Sequence, residues 1–336
     1  MKKLFTLSML FVATALFAQE EATEKKLSIS GSVDAYYRTT FNDAGLATTD
    51  PGTAFAGQTG FAVGMGNIIA SYESGKVGAV LDLVTGPRGA GATFSNDIID
   101  GIVNQAYAYW NVSEGTTITM GRFNTFLGYE VIAPAANFNY STSYLFSSGP
   151  FSHVGIKADF TLSDDMSLML GVMNPWDTND ISGTGEYALG GQLGYKGQFL
   201  NLYYDSGKNG GLGFEIDYTG GFDLSDDFFM GINAAYNTND ATKDGFYGVA
   251  LYPQLATSDN FSIGLRGELF QPTFDGKTDG IEAITAFTLT GSATIENNLI
   301  IKPEIRLDSS KGRFADADGA ASDSLMAFTL ATIFSF

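Results

Sequence analysis

Apolar and polar residues alternate along almost the whole chain after Lys26. The clearest case is the segment 299–308, where Leu299, Ile301, Ile305 and Leu307 alternate with Lys302, Glu304, Arg306 and Asp308. A period of two places apolar residues on one face of a β-strand and polar residues on the other. No comparable period of about 3.6 residues, which would indicate amphipathic helices, follows the N-terminal segment. The pattern predicts an all-β fold.

The connections between these strands alternate between short and long. Glu73–Lys76 and Lys196–Gln198 are short, whereas Thr39–Gly60 and Asn124–Pro150 are long. Counting them gives about sixteen strands of roughly ten residues, which is typical of a transmembrane antiparallel up-and-down β-barrel with short periplasmic turns and long extracellular loops. A soluble β-sandwich also contains many short alternating strands, but it does not explain the alternation of loop lengths. We therefore expect residues 27–336 to form a single transmembrane barrel.

The N-terminus has the layout of an export signal. Lys2 and Lys3 precede an apolar run from Leu4 to Phe17, and Ala18 follows it. The run is too short to span a bilayer, which requires about 20 apolar residues. The layout predicts a cleaved signal peptide at residues 1–18, a short periplasmic segment at 19–26 and a final location in the bacterial outer membrane.

Composition excludes several classes of function. The formal net charge of −19 argues against a nucleic-acid-binding protein, which needs a basic face. The absence of cysteine excludes disulfides and thiolate metal sites. No motif in the sequence calls for a cofactor or a metal ion, and we predict none.

The chain ends inside a strand, on the sequence LMAFTLATIFSF. A free terminus frays unless it is held, so we expect this last strand to pair with the first one, near Leu27–Arg38. Alternate residues of this strand, counted back from the end, are bulky and mostly apolar and lie on one face. These residues resemble the carboxy-terminal signal by which the barrel-assembly machinery recognises outer-membrane barrels: Phe336, Phe334, Leu330 and Phe328.

The stretch Met120–Asp177 is similar to the OmpL-like β-barrel porin family. The shared features are Gly121-Arg122-Phe123 at a strand end, Gly128-x-Glu130, the Asn/Ser-rich segment Asn137–Ser143 and His153-x-Gly155. The resemblance implies a porin, a water-filled channel through which small hydrophilic solutes or ions diffuse passively. The expected surroundings are outer-membrane lipid, and a homotrimer is left open.

The long connection Asn124–Pro150 is the strongest candidate for a functional loop. It is rich in aromatic residues and carries Glu130 as its only charge, so it is too apolar for a disordered segment. We expect it to fold into the barrel and narrow the pore; the alternative is an outer cap that packs on neighbouring loops. Arg122 precedes it on the face shared by Ile118 and Met120, so a bulge near Gly121 is expected to turn Arg122 into the lumen. The alternative is an arginine at the barrel rim.

The polar faces of the strands carry charges of both signs. The residues that we predict to line or constrict the pore are Arg122, Glu130, Lys157, Asp159, Arg266, Glu268, Lys302, Glu304 and Arg306. Any one opposed pair could instead be a salt bridge that braces the wall. Acidic residues are in excess on these faces, which favours a weak preference for cations.

Three other functions stay open on the sequence alone. One is a solute-specific channel, and another is a non-conducting structural or adhesive barrel that acts through its extracellular loops. The third is an outer-membrane enzyme that uses His153, the single histidine. Ser152 is adjacent to His153 and therefore points to the opposite face of the strand. We predict that the chain has no catalytic residues and is not an enzyme.

Overall fold

The described chain forms one closed barrel of sixteen antiparallel strands. The computed structural model describes residues 25–41, 51–93, 100–179, 185–316 and 318–336. The predicted signal peptide and residues 19–24 lie outside these ranges. The strands are β1 (Lys25–Thr40), β2 (Gly60–Ser74), β3 (Val77–Thr85), β4 (Val103–Ser113), β5 (Thr116–Asn124), β6 (Ser152–Thr161), β7 (Met166–Met173), β8 (Ala188–Tyr195), β9 (Gln198–Tyr204), β10 (Phe214–Asp223), β11 (Phe228–Thr238), β12 (Gly245–Ser258), β13 (Phe261–Thr273), β14 (Ile284–Ile295), β15 (Leu299–Ala315) and β16 (Ala321–Ser335). The predicted architecture and strand number are confirmed.

Helices are few and short. They are α1 (Gly86–Thr93), α2 (Tyr144–Ser148) and a 3-10 turn at Asp100–Ile102. Among the residues that the structure describes, no helix is long and apolar enough to cross a membrane. The first strand begins at Lys25, two residues before the predicted start of the barrel, so Lys25 and Lys26 belong to β1 rather than to a separate periplasmic segment.

Every strand pairs with its neighbours in sequence, and short turns alternate with longer loops. At the turn 196–197, Lys196 and Gly197 both have positive φ values, of 50° and 78°. This geometry matches the twist of a two-residue hairpin, which explains why glycine occupies the second position. The longest described connection is residues 125–151, between β5 and β6, and we refer to it as the inner loop.

The last strand closes the barrel against the first. The register runs from Ser32 opposite Ser335 to Thr40 opposite Ala327. At the end of the chain, Gly31 and Phe336 exchange two backbone hydrogen bonds of 3.0 Å. The N–H of Ser335 also donates to the carbonyl oxygen of Asn298 on the β14–β15 side, at 2.9 Å. The C-terminus is thus held on both sides, as predicted.

The two faces of the wall differ in chemistry along each strand. In β15 the side chains of Lys302, Glu304 and Arg306 are buried inside the barrel, whereas Ile305 and Leu307 are exposed on the outside. In β16, Leu330, Phe334 and Phe336 are exposed outward, and Ala331 and Ile333 are buried inward. An apolar exterior around a polar interior is the arrangement of a transmembrane barrel.

We predict that deletion of Phe336 impairs assembly. The deletion removes both hydrogen bonds that hold the end of the chain against β1. The yield of folded barrel should fall at least fivefold, since each hydrogen bond is worth about 1 kcal/mol. The heat-modifiable band on a cold denaturing gel measures this yield. The control is Phe61→Ala, which removes an outward phenyl ring that is 90% exposed and leaves closure intact. Equal yields for the two variants would contradict the assignment of Phe336 to assembly.

Candidate functional site

The inner loop lies inside the barrel and contacts strands on several sides of the wall. The N–H of Gly128 donates to Asp217 on β10 at 2.9 Å. The N–H of Tyr140 donates to Glu304 on β15 at 2.8 Å, and that of Leu145 donates to Glu268 on β13 at 2.8 Å. The predicted infolding of this loop is confirmed.

Carboxylates of the wall serve as acceptors for the backbone of the loop. Glu304 accepts from the N–H groups of Tyr140 and Ser141, and Glu268 accepts from those of Tyr144 and Leu145. Tyr144 and Leu145 begin α2, where backbone N–H groups have no partner within the helix. A buried carboxylate and a buried helix end would each be costly alone. Together they satisfy one another.

Glu130 and Arg266 form a buried ion pair between the loop and β13. The nearest nitrogen of Arg266 lies 2.6 Å from a carboxylate oxygen of Glu130, and both side chains are almost fully buried. The other carboxylate oxygen of Glu130 accepts from the N–H of Ser143 at 2.7 Å and from its hydroxyl at 2.5 Å. Ser143 caps α2. The pair therefore fixes the start of this helix relative to the wall.

The two basic residues of β15 also bind the loop. The ammonium group of Lys302 donates to the carbonyl oxygens of Pro134, at 3.0 Å, and of Asn137. Arg306 donates to the carbonyl oxygen of Thr142 at 2.8 Å and forms an ion pair of the same length with Asp308, two residues along its own strand. Lys302 and Arg306 are thus occupied by the loop and by Asp308.

Aromatic side chains complete the attachment. The ring of Tyr129 stacks on Tyr252 of β12 with centroids 4.3 Å apart, and Tyr144 stacks on Phe270 of β13 at 5.8 Å. These residues belong to a buried cluster on one side of the lumen. Packing of this kind makes the loop part of the protein interior.

Helix α1 is a second infolded element, which the sequence analysis did not find. Its Arg88 is buried and donates to the carbonyl oxygens of Ile132 and Tyr140 in the inner loop, at 3.3 and 3.0 Å. The guanidinium carbon lies 4.7 Å from the ring centroid of Phe55 and 5.0 Å from that of Tyr140. The segment GPRGAGAT is too rich in glycine to show a helical period, so nothing in the sequence marks Arg88 for this position.

Strand β10 carries two buried carboxylates that are held by amides. Asp217 accepts from the side chains of Asn201 and Asn233, at 2.6 and 2.5 Å, as well as from the loop. Glu215 accepts from Asn237 at 3.5 Å. A cavity of about 10 Å³ lies between these carboxylates and the loop. That is about the space of one water molecule.

Arg122 is buried, but the backbone feature that precedes it differs from the predicted bulge. The register between β5 and β6 is continuous from Thr116 to Asn124, so the predicted bulge at Gly121 is wrong. Instead Gly121 has a φ of 137°, and a Cβ atom there would lie 2.3 Å from the carbonyl oxygen of Ala106. Beyond this glycine, Arg122 and Phe123 are both buried.

The partners of Arg122 tie β5 to the end of α1. Its guanidinium donates to the carbonyl oxygens of Asn104 on β4 and of Ala92 and Thr93 in α1, at 3.0 to 3.4 Å, and to the side chain of Asn179. The carbonyls of Ala92 and Thr93 lie at the carboxyl end of α1, where a positive charge is favourable.

The pair of Lys157 and Asp159 on β6 meets water. The ammonium group lies 2.8 Å from the carboxylate, and the two side chains are 23% and 42% exposed. The other seven residues that we predicted to line or constrict the pore are buried: Arg122, Glu130, Arg266, Glu268, Lys302, Glu304 and Arg306.

His153 has the surroundings of a structural residue. It is fully buried, and its Nε2 lies 3.0 Å from the hydroxyl of Thr125. Its ring packs near those of Phe126 and Tyr203, with centroids 5.2 and 5.7 Å away. These contacts position the start of the inner loop.

Asp177, in the connection between β7 and β8, holds the other end of the inner loop. One carboxylate oxygen accepts from the N–H groups of Phe151 and Ser152, both at 2.8 Å. Burial raises the pKa of this carboxyl to about 6, although both hydrogen bonds act in the opposite direction. The exit of the loop therefore depends on a group that titrates in mildly acidic solution.

Comparison with protein families places the chain among barrel porins. Residues 26–336 match the model of the family described as "Putative beta-barrel porin-2, OmpL-like". A comparison with curated proteins finds no match.

Solved porin structures share the fold at low sequence identity. The anion-selective porin from Comamonas acidovorans is 11% identical, with a TM-score of 0.62 over 93% of this chain and 100% of that one. The trimer form of OmpT from Vibrio cholerae is 10% identical, with a TM-score of 0.60 over 93% and 99%. A mutant of the Rh. blastica porin is 16% identical, with a TM-score of 0.56 over 93% and 100%. At these identities the likeness shows the fold alone.

We predict that Glu130→Gln destabilises the folded protein by about 3 kcal/mol, because it leaves the charge of Arg266 buried without its counter-ion. Urea unfolding in detergent micelles, followed by far-ultraviolet circular dichroism, measures the change. The matched control is Glu296→Gln in an exposed turn, which should alter the free energy of unfolding by less than about 0.5 kcal/mol. A loss of similar size in both variants would show that the ion pair does not hold the loop.

We also predict that Asp177 makes stability fall as the pH rises from about 4 to about 6. In this window the folded protein retains a proton that the unfolded chain, with an ordinary pKa of 3.8, has lost. The free energy of unfolding should fall by about 2 kcal/mol, after allowance for partial exposure of the side chain. Asp177→Asn should remove this component, since asparagine tolerates the φ of 52° at this position.

The same unfolding assay at several pH values tests this prediction. Asp240→Asn, at an exposed loop position, is the control and should keep the wild-type pH profile. An unchanged profile in Asp177→Asn would contradict it.

Proposed function

The chain belongs to the OmpL-like β-barrel porin family, and on this premise we propose that it passes small hydrophilic solutes and ions across the outer membrane by passive diffusion through a narrow path. The observation that carries the proposal is the inner loop, which lies inside the barrel and is attached to β10, β13 and β15. A path beside such a loop admits only small solutes, and its charges act at short range.

We propose a weak preference for cations. The acidic residues of β10 are held by asparagine amides, whereas Arg266, Lys302 and Arg306 are engaged by the loop and by Asp308. Carboxylates without a cationic partner attract cations. The Comamonas porin of similar fold is anion-selective, so selectivity must come from the charges of each chain and not from the fold.

Three further parts of the proposal concern the export, the assembly and the oligomeric state of the protein. Residues 1–18 act as a cleaved signal peptide, and the barrel-assembly machinery recognises the strand that ends at Phe336. No catalytic step is proposed. A homotrimer is supported by the trimer form of OmpT, and cross-linking of the purified protein tests it.

A second candidate is a channel that opens when the inner loop moves, for a specific solute. It is favoured by the small volume, about 10 Å³, of the cavity between the loop and β10. A channel of this kind would conduct little until its solute, or a change in conditions, displaced the loop.

Single-channel recording in a planar bilayer tests these alternatives. The proposal expects small, ohmic conductance steps and a reversal potential of cationic sign under a salt gradient. A reversal potential of anionic sign would refute the cation preference. Absence of steps from folded, heat-modifiable protein would refute passive diffusion and favour a loop-gated or purely structural barrel.

A loop-shortened variant identifies the constriction. Replacing residues 129–148 by a short glycine linker should raise the conductance several-fold, because the pore area grows when the loop is removed. Shortening the exposed connection 274–283 is the matched control and should leave the conductance unchanged. Equal conductance in both variants would show that the inner loop is not the constriction.

A further inference from the structure

A groove lies on the outer, membrane-facing surface of the barrel, over strands β2 to β6. Its volume is about 470 Å³, which is within the range of ligand sites in proteins. Its lining is almost wholly apolar, and the residues that shape it are Tyr72, Ala79, Ala108, Trp110, Met120 and Ile156.

The strand register explains the groove. Tyr72, Ala79, Ala108 and Met120 lie directly opposite one another in a row across four strands. Neighbouring strands are about 4.8 Å apart, so the two alanines form a floor roughly 10 Å wide between larger side chains. Trp110 lies two residues beyond Ala108 on the same face, toward the periplasmic end, and is half exposed.

Basic residues gather at the periplasmic end of this groove. Lys25 lies opposite Ser74 at the end of β2 on the same face as the outward Leu27, and Lys76 occupies the turn that follows. Lys26, opposite Glu73, lies on the inward face of β1. All three lysines are exposed. Glu73 and Glu114 are the acidic side chains of the same corner among the described residues, and Glu24 precedes Lys25 in the sequence.

The rest of the periplasmic rim is acidic. Its turns and strand ends carry seven carboxylate side chains and one lysine, namely Asp164, Asp165, Asp223, Asp226, Asp227, Asp259, Glu296 and Lys196. Lys196 pairs with Asp165. Among the described residues of this rim, Lys25 and Lys76 below the groove are therefore an exception, and they attract an anion that approaches from the periplasmic side.

We propose that the groove, together with Lys25 and Lys76, forms a binding site for an anionic phospholipid of the periplasmic leaflet. The acyl chain lies over Ala79 and Ala108, and the headgroup phosphate lies near Lys25 and Lys76. Trp110 is placed at the boundary between the two regions, where its amphipathic ring is favourable. An apolar groove facing a bilayer takes hydrocarbon, and the lysines supply the preference for negative charge.

Tryptophan fluorescence reports occupancy of the groove directly. The chain has two tryptophans, and Trp176 lies in an extracellular connection where it donates to the carbonyl oxygen of Gly210. The variant Trp176→Phe leaves Trp110 as the single tryptophan, which is excited selectively at the red edge of the absorption band to avoid tyrosine. The full barrel is reconstituted into phosphatidylcholine vesicles that contain a minor fraction of lipid with brominated acyl chains, which quench tryptophan on contact.

The proposal expects brominated phosphatidylglycerol to quench Trp110 at least about fivefold more efficiently, per mole fraction, than brominated phosphatidylcholine, since one lysine alone accounts for about that ratio and the site has two. The double variant Lys25→Glu/Lys76→Glu, in the same background, should abolish this ratio and leave quenching by phosphatidylcholine intact. Lys196→Glu is the matched control and should keep the ratio.

A second pair of variants tests the groove. Ala79→Phe fills its floor and should lower the quenching of Trp110 by both lipids. Ala234→Phe is the control. Ala234 is on β11, far from the groove, and it faces outward because it lies opposite the outward Val249 of β12. The lysine variants leave the groove unaltered, so the proposal stays testable if Ala79→Phe does not fold.

Two outcomes would overturn the proposal. Equal quenching by the two brominated lipids would mean that only the ordinary lipid annulus contacts Trp110. Weak quenching by both lipids, together with cross-linking between copies, would mean that a second copy of the chain covers the groove.

Discussion

Every backbone N–H and C=O group within the hydrocarbon of a membrane must find its partner inside the protein, and the rest of this structure depends on that constraint. Closure of β16 onto β1 satisfies it, because it leaves no open edge in the wall. Residues 25–30 pair with β2 alone among the described strands. That unpaired edge lies at the periplasmic end, where water and headgroups provide hydrogen bonds that lipid chains cannot.

Inside the barrel, charged side chains provide the hydrogen-bond partners for buried backbone groups. A loop buried in a barrel brings backbone groups that no strand can pair, and a polar wall brings charges that need partners. Here each supplies what the other lacks. Glu268 and Glu304 accept from N–H groups of the loop, and Lys302 and Arg88 donate to its carbonyl groups. Removing one partner leaves a buried group unsatisfied, so the position of the loop is tightly coupled to the wall.

The sequence was sufficient to predict the barrel. A period of two and the alternation of loop lengths are local patterns, and they can be read from a single sequence without any relative of known structure. The sequence also favoured an inward fold for the loop after Arg122, since the loop carries many aromatic and aliphatic side chains and is too apolar for a disordered segment. The contact partners of the charged residues could not be predicted.

Arg266 and Glu130 are separated by 136 residues, and only the closed wall with the loop folded inside it brings them together. Arg88 was missed because α1 has no helical period. The bulge at Gly121 was wrong because a positive φ at one glycine turns the strand without an extra residue.

These contacts change what the charged wall residues do. Seven of the nine residues proposed for the pore are buried, and Arg266, Glu268, Lys302, Glu304 and Arg306 spend their hydrogen-bonding groups on the inner loop or on neighbouring wall residues. A charge that is fully engaged in this way presents little field to a passing ion, because its partner cancels it at short range. Lys157 and Asp159 differ, since both remain partly exposed to water on β6. The wall therefore divides into residues that hold the loop and residues that remain open to water. Under the proposed channel function, charge selection would fall to the second group, so the number of charges in the lumen is a poor guide to selectivity.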